Sequence, residues 1–223
     1  MGDADSDVSS SGSLTLPVQI LLAFIAGAAY PLAFAPFNLW PLTFASAAVL
    51  FWLLSRAEGR MPLIAWVFGL GKYAVGVSWI YVSIHQYGGA SPLLAGIMVA
   101  VFVAFMALFC LPIGWFLGKL KASKQNISKS LLAMGFVATW VLMEWTLTWF
   151  LTGFPWLFAG HAMLGTPLQS YAPIVGTLGI SLVVLTITVA VMLSADQVQP
   201  WKMRLAMAGV VVVLAGLGVS LDR

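Results

Sequence analysis

Two ionisable side chains stand out in a chain that is otherwise largely hydrocarbon. Lys72 lies inside the apolar run from Pro62 to Ile84, and Glu144 inside the run from Leu131 to Leu151. Burying either charge in lipid costs at least ~2.5 kcal/mol even on lenient insertion scales, so each must face a bundle interior, a partner or water. Two kinds of chemistry are open to them: a structural contact between two spans, made with each other, or a role at a lipid- or proton-handling site. Counted from the same end of the membrane, Lys72 is about ten residues deep and Glu144 about thirteen; at about 1.5 Å per residue their depths differ by roughly 5 Å, within a lysine's reach. Trp140, Glu144 and Thr148 share one helix face at i, i+4, i+8, with Trp145 and Trp149 on a neighbouring stripe.

The remaining reactive residues lie nearer the edges. His85 closes one apolar run and His161 falls in a broken apolar segment, while the sole cysteine, Cys110, sits within the run from Phe102 to Leu117 and reads as a small packing residue. Trp156 follows Phe154-Pro155, where proline stops a helix and holds the indole at headgroup depth. It is either a belt anchor or an aromatic shaping the entry for a lipid substrate. No His/Asp/Ser cluster, metal-ligand spacing, glycine-rich phosphate cradle or activated thiolate can be assembled from the sequence.

The elements that must position these residues are membrane spans. Hydrophobic residues are 61% and charged residues 8% of 223, more apolar surface than a water-soluble domain can hide. Alternation in ten-residue strands is missing, which excludes a β-barrel reading and leaves an all-α polytopic bundle. About seven transmembrane helices are expected, over 16–34, 39–54, 62–84, 92–117, 131–151, 171–193 and 205–221. Residues 1–13 read as a disordered polar tail, and 14–223 as one transmembrane domain. Its segment 152–170, apolar yet broken by Gly153, Pro155, Gly160, Gly165 and Pro167, is expected to form an outer interfacial or partly inserted arm.

Eight of the ten basic residues fall in the second, fourth and sixth connections and none in the alternate ones, which places the amino terminus in the cytoplasm and the carboxyl terminus in the periplasm. The net charge of +3 is thus an orientation signal, and nucleic-acid binding gains no support from it.

Three segments carry a family resemblance: Pro36-Phe37 with Trp40-Pro41; Gly76-Val77-Ser78-Trp79-Ile80-Tyr81-Val82-Ser83-Ile84-His85 followed by Gly88-Gly89; and Leu151-Thr152-Gly153-Phe154-Pro155-Trp156-Leu157. With Pro167-Leu168 and Tyr171-Ala172-Pro173, they resemble the membrane part of apolipoprotein N-acyltransferases. The resemblance implies a bundle in the bacterial inner membrane, combined with a nitrilase-like periplasmic domain and a last span. In that domain a Glu-Lys-Cys triad takes an acyl chain from phospholipid as a thioester and passes it to the amino group of a diacylglyceryl-modified lipoprotein cysteine.

The resemblance gives the triad no counterpart here, so Cys110, Glu144 and Lys72 are not read as its members, and no catalytic residue, metal or cofactor is expected. What it implies is the membrane half of the enzyme, ending before the catalytic domain and inactive alone, that admits and positions the phospholipid acyl donor and the diacylglyceryl apolipoprotein. Phe154 and Trp156 are expected to line the mouth, with Trp79, Tyr81 and His85 near it and Lys72 and Glu144 as intramembrane polar residues. The alternative is a non-catalytic lipid-binding or carrier protein, a remnant of the family. Two departures from the family pattern stand out: Leu147 replaces an arginine three residues after Glu144, leaving Lys72 as the available partner, and Gly160-His161-Ala162-Met163 replaces Gly-Tyr-Ser-Gln.

Overall fold

A computed structural model describes residues 14–57, 59–123 and 127–221; the tail expected over 1–13 and the chain end at Asp222-Arg223 lie outside the described residues. All regular structure among them is helical. In chain order the helices are α1 (Leu16–Ala29), α2 (Pro41–Arg56), α3 (Met61–Gly76), α4 (Trp79–Val82), α5 (Pro92–Leu108), α6 (Leu111–Ser123), α7 (Lys129–Thr146), α8 (Ala172–Ala195) and α9 (Trp201–Leu221). Proline opens many of them. Pro17, Pro41, Pro62, Pro92 and Pro173 sit in the first turns of α1, α2, α3, α5 and α8, where a missing N–H costs nothing. Ser91 and Ser128 cap α5 and α7 by accepting from Leu94 N at 3.3 Å and Leu131 N at 3.2 Å.

Four stretches among the described residues are long and apolar enough to cross a membrane, and a fifth qualifies if Met61–Gly76 and Trp79–Tyr87, bent by 50°, form one broken span. The continuous expected runs are interrupted wherever a residue disturbs the hydrogen-bond ladder. The run from Leu16 stops at Ala29 and tightens into a 3-10 turn over Tyr30–Ala33, which carries Pro31. The run 92–117 breaks at Phe109-Cys110, because Pro112 has no N–H for the carbonyl four residues back. The run expected to reach Leu151 ends as α-helix at Thr146 and continues as turns, in which Leu151 and Thr152 take the left-handed φ values of 47° and 75°. α8 is kinked near its start, at Gly176.

The centre of the bundle is α3, and glycine brings its neighbours close. A Cβ on Gly27 of α1 would lie 2.0 Å from the Phe68 carbonyl oxygen, and one on Gly71 of α3 would lie 2.2 Å from that of Phe24. These helices meet backbone to backbone, the close approach that small residues permit where lipid gives no hydrophobic drive to association. Gly69 abuts Ala107 and Cys110, and Gly114 of α6 abuts Met61, so α5 and α6 close on α3 in the same way. Aromatic rings fill the interior: Phe68, Phe136 and Tyr30 surround Trp140 at centroid distances of 5.7, 5.5 and 5.9 Å.

At one end of the bundle, basic residues close off helix termini. Lys121 Nζ donates to the carbonyls of Ser55 and Ala57 at 3.0 and 2.9 Å, Arg204 Nε donates to Ser194 O at 2.8 Å, and Lys129 pairs with Asp196. α9 packs on α8 and on the turn Pro167–Tyr171, where Tyr171 Oη donates to Leu214 O at 2.7 Å, and buries little but Gly218.

Candidate functional site: an apolar cleft above a sealed polar cluster

The connection from α1 to α2, the end of α3 with the start of α4, and the segment 152–170 enclose a cleft of about 460 Å³. Pro31, Leu32, Phe34, Ala35, Pro36 and Phe37 form its first wall, Val75, Gly76 and Trp79 its second, and Trp156, Leu157, His161 and Leu164 its third. The third wall contains no helix of eight residues. It is built from short 3-10 turns, and Leu157, Phe158, Ala159, Gly160, Ala162 and Met163 are buried under the bundle end. Non-helical backbone at such a place is tolerated because protein groups satisfy it.

Gly76 makes the junction of the second and third walls. A Cβ there would lie 2.3 Å from a Leu157 methyl, so any larger residue would have to displace that side chain, and Trp156 Nε1 donates to the Gly76 carbonyl at 3.3 Å. Leu157 itself holds φ 59°, a left-handed conformation costly for a branched residue and maintained by the burial of its side chain. The rings of Trp79 and Trp156 sit 5.7 Å apart, each about half exposed at 47% and 45%. Amphipathic indoles in that condition suit a boundary with one apolar and one wet side.

The residues expected to line the mouth or lie near it divide into three places. Trp79 and Trp156 line the cleft. Phe154 stands behind it, edge-on to Phe102 at 5.4 Å and beside Trp156 at 6.1 Å. Tyr81 and His85 lie farther along, in and before one π-helical turn over Ser83–Tyr87, with their rings 5.6 Å apart and His85 Nδ1 2.8 Å from Ala90 O. They are not among the cleft residues. His161, which the sequence marked as an ionisable residue of the broken segment and a departure from a family pattern, is: its ring stacks on Phe158 at 5.4 Å with planes 4° apart, and burial pushes its imidazole below the ordinary 6.5.

Lys72 and Glu144 occupy a separate cluster without solvent exposure. Glu144 Oε1 accepts from Trp140 Nε1 at 3.0 Å and from the backbone N–H of Ala159 at 2.8 Å. The Lys72 ammonium lies over the rings of Tyr30, Tyr73 and Trp140 at 4.6, 5.5 and 5.5 Å. The two residues therefore share Trp140, one over its ring and one on its N–H. They form no direct ion pair; among the described residues that geometry belongs to Lys129 and Asp196. Leu147, at the position of the family arginine, is packed in the core, and its carbonyl accepts from Phe154 N at 2.7 Å.

Chemically, the cleft can hold chains. Its walls are mostly carbon, and the one side chain in them capable of acid–base or nucleophilic chemistry is the His161 imidazole. Cys110 is buried elsewhere with its thiol 3.7 Å from Met143 Sδ, and among the described residues no three His, Cys, Asp or Glu gather to hold a metal.

A profile described as the apolipoprotein N-acyltransferase N-terminal domain matches residues 26–190, which contain all three walls and the polar cluster. The chain belongs to the apolipoprotein N-acyltransferase family. It is 42% identical over 197 residues to an apolipoprotein N-acyltransferase of Pseudomonas syringae pv. tomato, covering 87% of this chain and 38% of the relative. It is 41% identical over 204 residues to that of Pseudomonas putida (90% and 40%), and 43% identical over 174 residues to that of Coxiella burnetii (74% and 34%). The chain thus spans about two fifths of the length of these curated relatives. With its apolar helices, this makes it a multi-pass membrane member of an acyltransferase family of lipoprotein maturation.

Proposed function

We propose that this bundle is the substrate-admitting membrane part of a lipoprotein N-acyltransferase. It sits in the bacterial inner membrane with seven spans, the amino terminus in the cytoplasm and the carboxyl terminus in the periplasm. The basic connections at the end opposite the cleft support that orientation, because it puts the cleft at the periplasmic end. In this reading α2 and α7 complete the set of spans. They fall short of the length and hydropathy of the others because α2 has 16 residues and α7 carries Lys129 and Glu144.

The observation that carries the proposal is the cleft itself: about 460 Å³, walled by carbon, with Trp79 and Trp156 half exposed at its edge. Such a volume accommodates an acyl chain, and indoles at its rim suit the level where chain meets headgroup. The phospholipid acyl donor and the diacylglyceryl apolipoprotein enter here in turn, with their reactive ends held outward. The contribution to rate is positional, converting encounters in the bilayer plane into aligned ones. The covalent steps belong to a Glu-Lys-Cys triad of the family that these residues do not supply.

The test is acyl transfer from phospholipid to a diacylglyceryl peptide. It is run on this chain and on the chain joined to whatever its gene encodes next, each with and without Val75→Trp, which fills the cleft. The expected result is transfer only by the longer form, with kcat/KM lowered by about tenfold or more in the variant. Transfer unaffected by filling the cleft would overturn the proposal, and lipid binding without transfer in either form would indicate a carrier.

A further inference from the structure

The sealed cluster touches all three walls of the cleft. Tyr30, whose ring takes the Lys72 ammonium, is followed directly by Pro31, where the first wall begins. Lys72 lies one helical turn before Gly76 in the second wall. Glu144 accepts the backbone N–H of Ala159, midway between Leu157 and His161 of the third. The next amide, Gly160 N, donates to Ser181 Oγ on α8 at 2.8 Å, and a Cβ on Gly160 would lie 2.2 Å from Thr177 O. The third wall is therefore held at two successive amides, one on α7 and one on α8.

From this geometry we infer that Glu144 is a positioning residue: its carboxyl group, held by Trp140 and balanced by Lys72, fixes the 156–161 segment and thereby the width of the cleft. The inference deepens the proposed substrate-admitting role and rests on it for the consequence, though not for the latch itself.

Charge explains why Lys72 and Glu144 are buried together. A lone acid or lone amine without solvent contact is costly, whereas one acid and one amine leave the cluster neutral, either as two opposite charges or with the proton shared out. Their indirect arrangement leaves Glu144 Oε1 free to accept the arm amide, which a direct ion pair at that oxygen would compete for. Four buried polar atoms, Tyr30 Oη, Lys72 Nζ, Tyr73 Oη and Glu144 Oε2, have no hydrogen-bond partner in the cluster. They give the cluster hydrogen-bonding capacity that its own contacts leave unused.

The experiment is amide hydrogen exchange across 157–161 in the detergent-solubilised protein, with phospholipid binding measured in parallel, for Glu144→Ala, Glu144→Gln, Lys72→Met and the double variant Lys72→Met/Glu144→Gln. Loss of a hydrogen bond to an ionisable acceptor predicts exchange at Ala159 about 30- to 100-fold faster in Glu144→Ala. Glu144→Gln retains an acceptor and stays within about tenfold of the parent, with interior amides of α7 and α8 unchanged in both. Phospholipid binding weakens about tenfold in Glu144→Ala. The double variant melts closer to the parent than either of its single variants does, because it removes both charges together.

Unchanged exchange at 157–161 in Glu144→Ala would overturn the latch, as would additive losses in the double variant. The additivity readout decides the matter if Glu144→Ala does not fold. A parent protein that binds no phospholipid, yet shows the exchange pattern, would sink the substrate-admitting reading and leave the latch standing.

Discussion

The cleft and the cluster beneath it are built on opposite principles. The cleft is open and nearly all carbon, whereas the cluster is closed and concentrates the intramembrane acid, the intramembrane amine and two tyrosine hydroxyls. In a soluble enzyme the polar cluster would be the active site and the apolar cleft its specificity pocket. Here the polar groups are fully enclosed by protein, one of the settings in which ionisable groups at membrane depth are stable. On the proposed reading, the burial of Lys72 and Glu144 marks a structural control point and the exposed indoles of Trp79 and Trp156 mark the site of encounter.

The comparison breaks most severely if the cluster is opened. Gly71→Leu forces α1 from α3 beside Lys72, since even a Cβ there meets the Phe24 carbonyl oxygen at 2.2 Å. A loss of about 3 kcal/mol or more is expected, seen as aggregation on size exclusion or collapse of the melting transition. A folded variant with the parent's melting point would mean that α1 and α3 do not cross as described.

A smaller effect sharpens the contrast within the aromatic residues. Trp156→Ala removes a half-exposed ring from the cleft edge and its hydrogen bond to Gly76 O, so phospholipid binding should fall about tenfold while stability changes by about 1 kcal/mol or less. Tyr81→Ala, outside the cleft, should alter binding by less than about twofold. Equal losses in the two variants, read by titration with brominated lipid, would move the entry site toward the π-helical turn.

The smallest effect separates the ends of the molecule by pH. Burial holds His161 below 6.5, so the unfolded chain takes up a proton that the folded one refuses as pH falls through that value. Its contribution to stability is therefore full above 6.5 and lost as pH falls toward its folded value. Asp196 is held below the ordinary 3.8 by its hydrogen bond from Lys129, so its contribution persists above 3.8 and is lost only in stronger acid. Melting measured from pH 7.5 to 5 should decline with a slope that His161→Asn removes and Asp196→Asn leaves. A slope insensitive to His161→Asn would place the titrating group elsewhere.

These features were unequally visible in the sequence. Proline and glycine at 153, 155, 160, 165 and 167 announced a segment that could not be one helix, and the i, i+4 spacing of Trp140 and Glu144 put the indole N–H within reach of the carboxyl group. The partnership across helices was not visible. Depth alone brought Lys72 and Glu144 together, but the ammonium turns to Tyr30, a residue 42 positions away whose apolar neighbourhood carries no signal of a cation site.

The break after Gly76 was likewise hidden. Hydropathy continues unaltered through Val77, and what ends the helix is the tertiary seat of Leu157 and Trp156 against it. Trp79 stands at the break itself, whereas Tyr81 lies two residues on, about 200° round the helix, and His85 six residues on, which takes both away from the cleft. His161 had only its chemistry and its position in the broken segment to recommend it, and its place in the cleft follows from the amides that Glu144 and Ser181 hold.

The central claim is that acyl chains occupy the cleft, and mapping the adducts of a phospholipid with a photoreactive acyl chain tests it most directly. The protein is labelled in bilayers and the modified residues are located by mass spectrometry. Adducts concentrated at 31–37, 75–79 and 156–164, and reduced by Val75→Trp, are the predicted result. Adducts spread over the lipid-facing surfaces of α5 and α9, with none in those three segments, would contradict it.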